Sequence, residues 1–133
     1  MSSLMTKELI LHFENMIYLP FLLTILNKDR ETIDNMPFKL KRPYLQLVDQ
    51  AIKCAESDLR NTRIYMKRQQ YKILQGTKDK LFTEYVFYYN GYEDHRKYLH
   101  YQLRNRTEEL ISVYFHQVTI EENPNRKNSW GSV

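Results

Sequence analysis

The chain reads as mainly α, an antiparallel helical bundle of about four helices, and three observations carry that expectation. Residues 4–35 and 43–70 each hold apolar side chains at three- and four-residue spacing, the period of one helix face. A third periodic stretch opens at Tyr92 and runs to Val118. The chain of 133 residues is also 42 % hydrophobic, enough to build one core without a disulfide or a metal.

In the first stretch Leu9, Phe13 and Met16/Ile17 begin the apolar stripe, and Leu19, Leu22, Leu23, Leu26 and Ile33 continue it. Pro20 interrupts. It lacks an amide donor and its ring crowds the preceding turn, so the sequence predicts a kink, or two helices meeting near Tyr18. Asp34-Asn35-Met36-Pro37 ends the stretch, because a residue before proline is pushed away from helical angles. Residues 37–43 connect, and Pro43 suits the first turn of a helix, where its missing N–H would have no partner anyway.

The second stretch is the clearest element. Tyr44, Val48, Ala51/Ile52, Ala55, Leu59, Thr62 and Met66 form one stripe, with acids and bases at the other positions. A helix over residues 43–70 would be roughly 40 Å long and calls for an antiparallel neighbour, for which the first stretch has the right length.

Residues 71–89 admit two readings. The second arm is rich in Thr, Tyr, Val and Phe and favours a small β-hairpin. The same arm also fits a helix with Phe82, Tyr85/Val86 and Tyr89 on one face; the hairpin is slightly preferred. Asn90-Gly91 ends that element, since glycine offers the positive φ of a turn. From Tyr92 the expectation is helix again, with a break near His100 allowed and with Leu99, Leu103, Thr107, Leu110/Ile111 and Tyr114 as its buried face. Residues 1–118 thus form a single helical domain, and residues 119–133, without a periodic apolar face, a flexible C-terminal tail.

The formal charge is +4 and the pI near 9.1, a mild basic balance that permits nucleic acid, anionic lipid or an acidic partner without demanding any of them. Cys54 is the only cysteine, which rules out an intrachain disulfide and suits a reducing compartment. The apolar run over residues 16–26 is short of the ~20 residues a spanning helix needs, and acids rather than bases precede it. The expectation is a soluble, cytoplasmic protein with no integral membrane segment.

Four fragments taken together, Tyr18-Leu19-Pro20, residues 37–44 (PFKLKRPY), Tyr89-Asn90-Gly91-Tyr92 and Leu103-Arg104-Asn105, resemble a group of short, uncharacterised YhjD-like proteins of Bacillus-type bacteria. The resemblance spans residues 10–117. It implies a bacterial, cytoplasmic or sporulation-associated setting and transfers no active-site residue.

No catalytic, metal or cofactor signature is present, and the expectation is a protein that is not an enzyme. With only Gly76, Gly91 and Gly131, neither the P-loop nor the dinucleotide fingerprint can be written. No glutamate has a histidine three residues later, as a di-iron bundle requires, and His12, His95, His100 and His116 lack zinc-site spacing. The cluster Glu93-Asp94-His95-Arg96 mixes acid, base and cation, but reads as a solvated helix start.

Two features point to binding. Arg60, Arg63, Lys67, Arg68 and Lys72 lie in a run without an acid, and Arg60, Arg63 and Lys67 share a helical face that could track phosphates; the plain alternative is a solvated face. The 11 tyrosines are concentrated late in the chain. Among their neighbours, Phe87, Tyr88, Tyr92, Tyr98 and Tyr101 are the candidate protein interface, for a partner or a second copy. The function expected is a helical adaptor or assembly protein; the alternative is a nucleic-acid-binding accessory protein.

Overall fold

The computed structural model describes residues 5–122, of which residues 120–122 are described by backbone alone. Three helices and three strands follow one another as α1 (Lys7–Asn35), α2 (Arg42–Gln69), β1 (Lys72–Lys78), β2 (Phe82–Tyr89), β3 (Tyr92–Leu99) and α3 (His100–Glu122). The strands form one antiparallel sheet in the order β1-β2-β3. The expected all-α bundle of four helices is therefore overturned in favour of an α+β arrangement.

Helix α1 begins where Thr6 caps it, its hydroxyl accepting from the Leu9 amide at 3.1 Å. It then runs through Pro20 as a single helix, where the sequence predicts a kink or two helices. The residues around the proline explain the continuity. Ile17, Tyr18, Leu19 and Leu22 are all buried, and their burial offsets the one backbone bond the proline removes. Helix α2 starts with Pro43 in its first turn and ends on Gln70 in the left-handed conformation. Its buried face is Val48, Ala51, Ile52, Ala55, Leu59, Thr62 and Met66; of the predicted stripe only Tyr44 stands in solvent.

The hairpin reading of residues 71–89 is right, but the sheet has a third strand that the sequence reading took for helix. Asn90 and Gly91 have φ of 50° and 79°, the positive pair that a two-residue type I′ hairpin turn requires. Strands β2 and β3 pair without a slip from Tyr89↔Tyr92 to Phe82↔Leu99. Between β1 and β2 the register shifts between Gln75 and Lys78, and a side chain at Gly76 would collide with the Glu84 carboxylate. The Asp79 carboxylate closes that loop by accepting from the amides of Leu81 and Phe82 at 2.7 and 2.9 Å, bonds that hold its pKa below the usual carboxylate value.

Two apolar clusters share α1. One joins its C-terminal half to α2 and α3 through Leu19, Leu22, Leu26, Ala55, Leu59 and Tyr114. The other joins its N-terminal half to the sheet through Leu9, Phe13, Ile17, Tyr18, Phe87 and Tyr89. Helix α3 buries Thr107, Tyr114 and Val118, half-buries Leu103, Leu110 and Ile111, and continues through residues 119–122, which the sequence reading placed in a tail. The remainder of that expected tail lies outside the described residues.

Candidate interaction surfaces

The sheet's alternation decides which side chains meet the helices and which meet solvent. Thr83, Tyr85, Phe87 and Tyr89 of β2, with Asp94, Arg96 and Tyr98 opposite them on β3, face the helices. Phe87 is fully buried and stacks on Phe13 at 4.4 Å between ring centroids and 7° between planes. Arg96 also lies over the Phe87 ring, its guanidinium carbon 5.4 Å from the centroid. Tyr98 meets Tyr18 and Tyr85 edge to face, and burial drives its pKa far upward.

The opposite face has another chemistry. Phe82, Glu84, Val86 and Tyr88 of β2 lie in register with Leu99, Lys97, His95 and Glu93 of β3, and Leu74 of β1 pairs with Val86. Leu74 is 46 % exposed and Leu99 36 %, and the Lys97 ammonium sits 4.6 Å from the centroid of the Phe82 ring. His95 reaches Glu93 at 2.8 Å and Glu84 at 3.5 Å, and its pKa is raised, first by the hydrogen bond to Glu93. Apolar and charged side chains thus alternate on this face, with the Glu84–Lys97 pair standing between Leu74–Val86 and Phe82–Leu99.

The five candidate interface residues do not form one patch. Phe87 belongs to the core and Tyr98 to the aromatic layer beneath the sheet. Tyr88 and Tyr92 flank the β2–β3 turn, half-buried and exposed respectively. Tyr101 is exposed at the start of α3, past the far end of a strand about 25 Å long. Sequence reasoning missed Leu74, Phe82 and Leu99, which the alternation of β2 and the Asn-Gly turn would have placed on one face.

Arg60, Arg63, Lys67 and Arg68 are exposed on α2, and Lys72 is exposed at the start of β1. None of the five forms an ion pair among the described residues. Arg60 and Arg63 border a shallow depression shared with Pro20, Leu23 and Glu56.

Two polar clusters tie the layers together. Thr62, fully buried, accepts from the Asn15 amide at 2.9 Å and pairs with His12 Nδ1 at 2.9 Å, while the His12 ring stacks on Tyr65 at 3.9 Å. Burial lowers the His12 pKa, and Glu8 opposes that only in part. At the other end of the sheet, His100 Nδ1 faces the Lys80 carbonyl at 3.1 Å and its Nε2 faces Thr83 Oγ1 at 2.9 Å. A carbonyl can only accept, so Nδ1 carries a proton, and in the neutral ring Nε2 accepts from the threonine hydroxyl. This pair borders a cleft of about 360 Å³ between α1, the sheet and α3. With both ring nitrogens engaged, His100 acts as a clamp and has no nitrogen left for a ligand. Among the described residues no group of three or more His, Cys, Asp or Glu is placed to hold a metal ion.

Helix α1 contains an apolar stretch with mean hydropathy of 1.7, long enough by length and composition to cross a bilayer. In this fold 39 % of that stretch is buried, and its deepest residues seat both α2 and the sheet.

The fold and its surfaces define a small α+β protein with an aromatic layer between a helical tier and an open three-stranded sheet. The chain belongs to the YhjD family: the family model described as "YhjD protein" matches residues 4–119. It is 34 % identical over 101 residues to the "Uncharacterized protein YhjD" of Bacillus subtilis (strain 168), an alignment covering 76 % of this chain and 84 % of that protein. No solved structure matches the chain.

Proposed function

We propose that this chain is a non-enzymatic assembly protein of the bacterial cytoplasm that binds another protein through the outer face of its sheet. The observation that carries this reading is the apolar set of Leu74, Phe82, Tyr88 and Leu99, interspersed with Lys72, Glu84, Glu93, His95 and Lys97, on the face opposite the helices. Burying Leu74 and Leu99 in a partner would release water from apolar surface that folding leaves wet. A photo-crosslinking residue at position 74 tests this in cells. A discrete adduct is expected from position 74, absent from a control at exposed Val113 and lost on adding Tyr88→Glu. Identical adducts from both positions, or none, would refute the reading.

A second reading has its own observation: Arg60, Arg63 and Lys67 are exposed together on α2 with no carboxylate partner among the described residues. Such a face suits a phosphate backbone. It requires binding to labelled DNA or RNA that weakens steeply with salt and disappears when Arg60, Arg63 and Lys67 are all changed to Glu. Binding that ignores either change excludes it.

A further inference from the structure

The order β1-β2-β3 leaves β3 at an edge of the sheet, and no element of the described residues pairs with its outer side. An edge strand of charged residues ordinarily discourages pairing. Here the charges have an order. Read from Tyr92 to Tyr98 the strand is Tyr-Glu-Asp-His-Arg-Lys-Tyr, acids before His95 and bases after it at mirrored positions.

We propose that β3 is the docking site for a second copy of this chain, paired antiparallel about a twofold axis through His95. In that register Tyr92 faces Tyr98 of the other copy, Glu93 faces Lys97 and Asp94 faces Arg96, each twice by symmetry. Opposite charges directly across an antiparallel pair are stabilising, and like charges are destabilising.

The backbone allows the same register. The turn at Asn90-Gly91 closes on the Tyr89–Tyr92 pair, and the His100 amide donates to the Leu81 carbonyl at 2.8 Å at the other end of the ladder. Hydrogen-bonded pairs alternate along the ladder, so the even-numbered residues of β3 direct their amides and carbonyls to β2. Glu93, His95 and Lys97 direct theirs to the free edge. About His95, these three residues meet their counterparts in the second copy with all donors and acceptors matched.

Neighbouring twofold registers fail on charge. Centring on residue 93, 94, 96 or 97 sets Glu against Glu, Asp against Asp, Arg against Arg or Lys against Lys. Of the centres from 93 to 97, His95 alone avoids setting two permanent like charges against each other. The two His95 rings would meet on the outer face, each already held by Glu93 and Glu84 of its own chain. Because an in-sheet twofold axis is perpendicular to the sheet, both helical tiers lie on one side and the outer faces join into one surface. This inference stands apart from the proposal for the outer face, because it rests on the edge and needs no other protein.

The test is sedimentation velocity of the purified full chain over a concentration series, with four samples beside the wild type: Glu93→Lys, Lys97→Glu, the double swap, and an equimolar mixture of the two single variants. Far-UV circular dichroism checks that each is folded. Wild type is expected to form a dimer that weakens with salt. Each single variant sets like charges together twice and should weaken self-association by at least about tenfold. The mixture restores Lys–Glu contacts at both sites and should form a heterodimer, and the double swap should recover the homodimer. The inference is overturned by a wild type that stays monomeric, by single variants that dimerise as wild type does, or by a mixture and double swap that remain monomeric. A monomeric wild type that still yields the position-74 adduct retires the edge proposal and leaves the outer-face reading intact.

Discussion

Replacing Phe13 with alanine should cost about 3–5 kcal/mol, the range for truncating a fully buried phenylalanine. The magnitude follows from its setting. The side chain is 0 % exposed, is stacked 4.4 Å from Phe87, and has Tyr71 and Tyr89 each at 6.0 Å between centroids. Moving the ring from water into that environment accounts for about 1.5–3 kcal/mol. Loss of the ring pairing and the cavity left behind supply the rest. Against a total stability of about 5–15 kcal/mol this is a large fraction. Urea unfolding followed by circular dichroism should show the midpoint falling with the slope unchanged. A double-mutant cycle with Phe87→Ala should return a coupling of about 0.5–1.5 kcal/mol. A coupling near zero, or a total loss below about 1 kcal/mol, would refute the seating of the sheet on α1.

Three further outcomes follow from the polar groups. Thr62→Val keeps the shape but removes the oxygen that Asn15 and His12 share, and should destabilise by about 1–3 kcal/mol in the same unfolding assay. Tyr89→Phe removes the one buried side-chain polar atom without a partner among the described residues, and its melting temperature should match or exceed that of wild type. The third concerns pH. The folded chain holds the His12 pKa below its ordinary 6.5, so the unfolded chain binds more protons, and stability is full above 6.5 and falls as pH drops below it. The raised pKa of His95 has the opposite sign: its contribution is present below 6.5 and lost as pH rises through the folded value. Melting curves of His12→Gln and His95→Gln across this range should therefore diverge in opposite directions from wild type, and parallel curves would reject both assignments.

The parts of the fold legible in the sequence are those whose burial is one-sided. Helix α2 presents a single stripe to its neighbours, so Val48 to Met66 identified it directly. Strand β3 is hidden from the sequence because its inward side chains are Asp94, Arg96 and Tyr98, which give no apolar alternation; the Asn90-Gly91 turn is the better guide. Helix α1 reads as two elements because Pro20 is a local cost, while the burial on both sides of it depends on residues far along the chain. The candidate surfaces follow the same division. The exposure of Arg60, Arg63 and Lys67 could be read from helical spacing, whereas the burial of Phe87 and the outer position of Leu74 required the strand register.

Strand β3 passes into α3 between Leu99 and His100 with no intervening loop, and His100 is fastened to the β1–β2 loop by its amide and Nδ1 and to Thr83 of β2 by Nε2. Mechanically that joint is a crank without slack. A torque applied along the edge of the sheet turns α3 with it, and any residue inserted there would break the coupling. Residues 36–40, every one of them exposed between two helices, are the opposite case: a reporter or tether belongs there, where added length leaves the crank undisturbed.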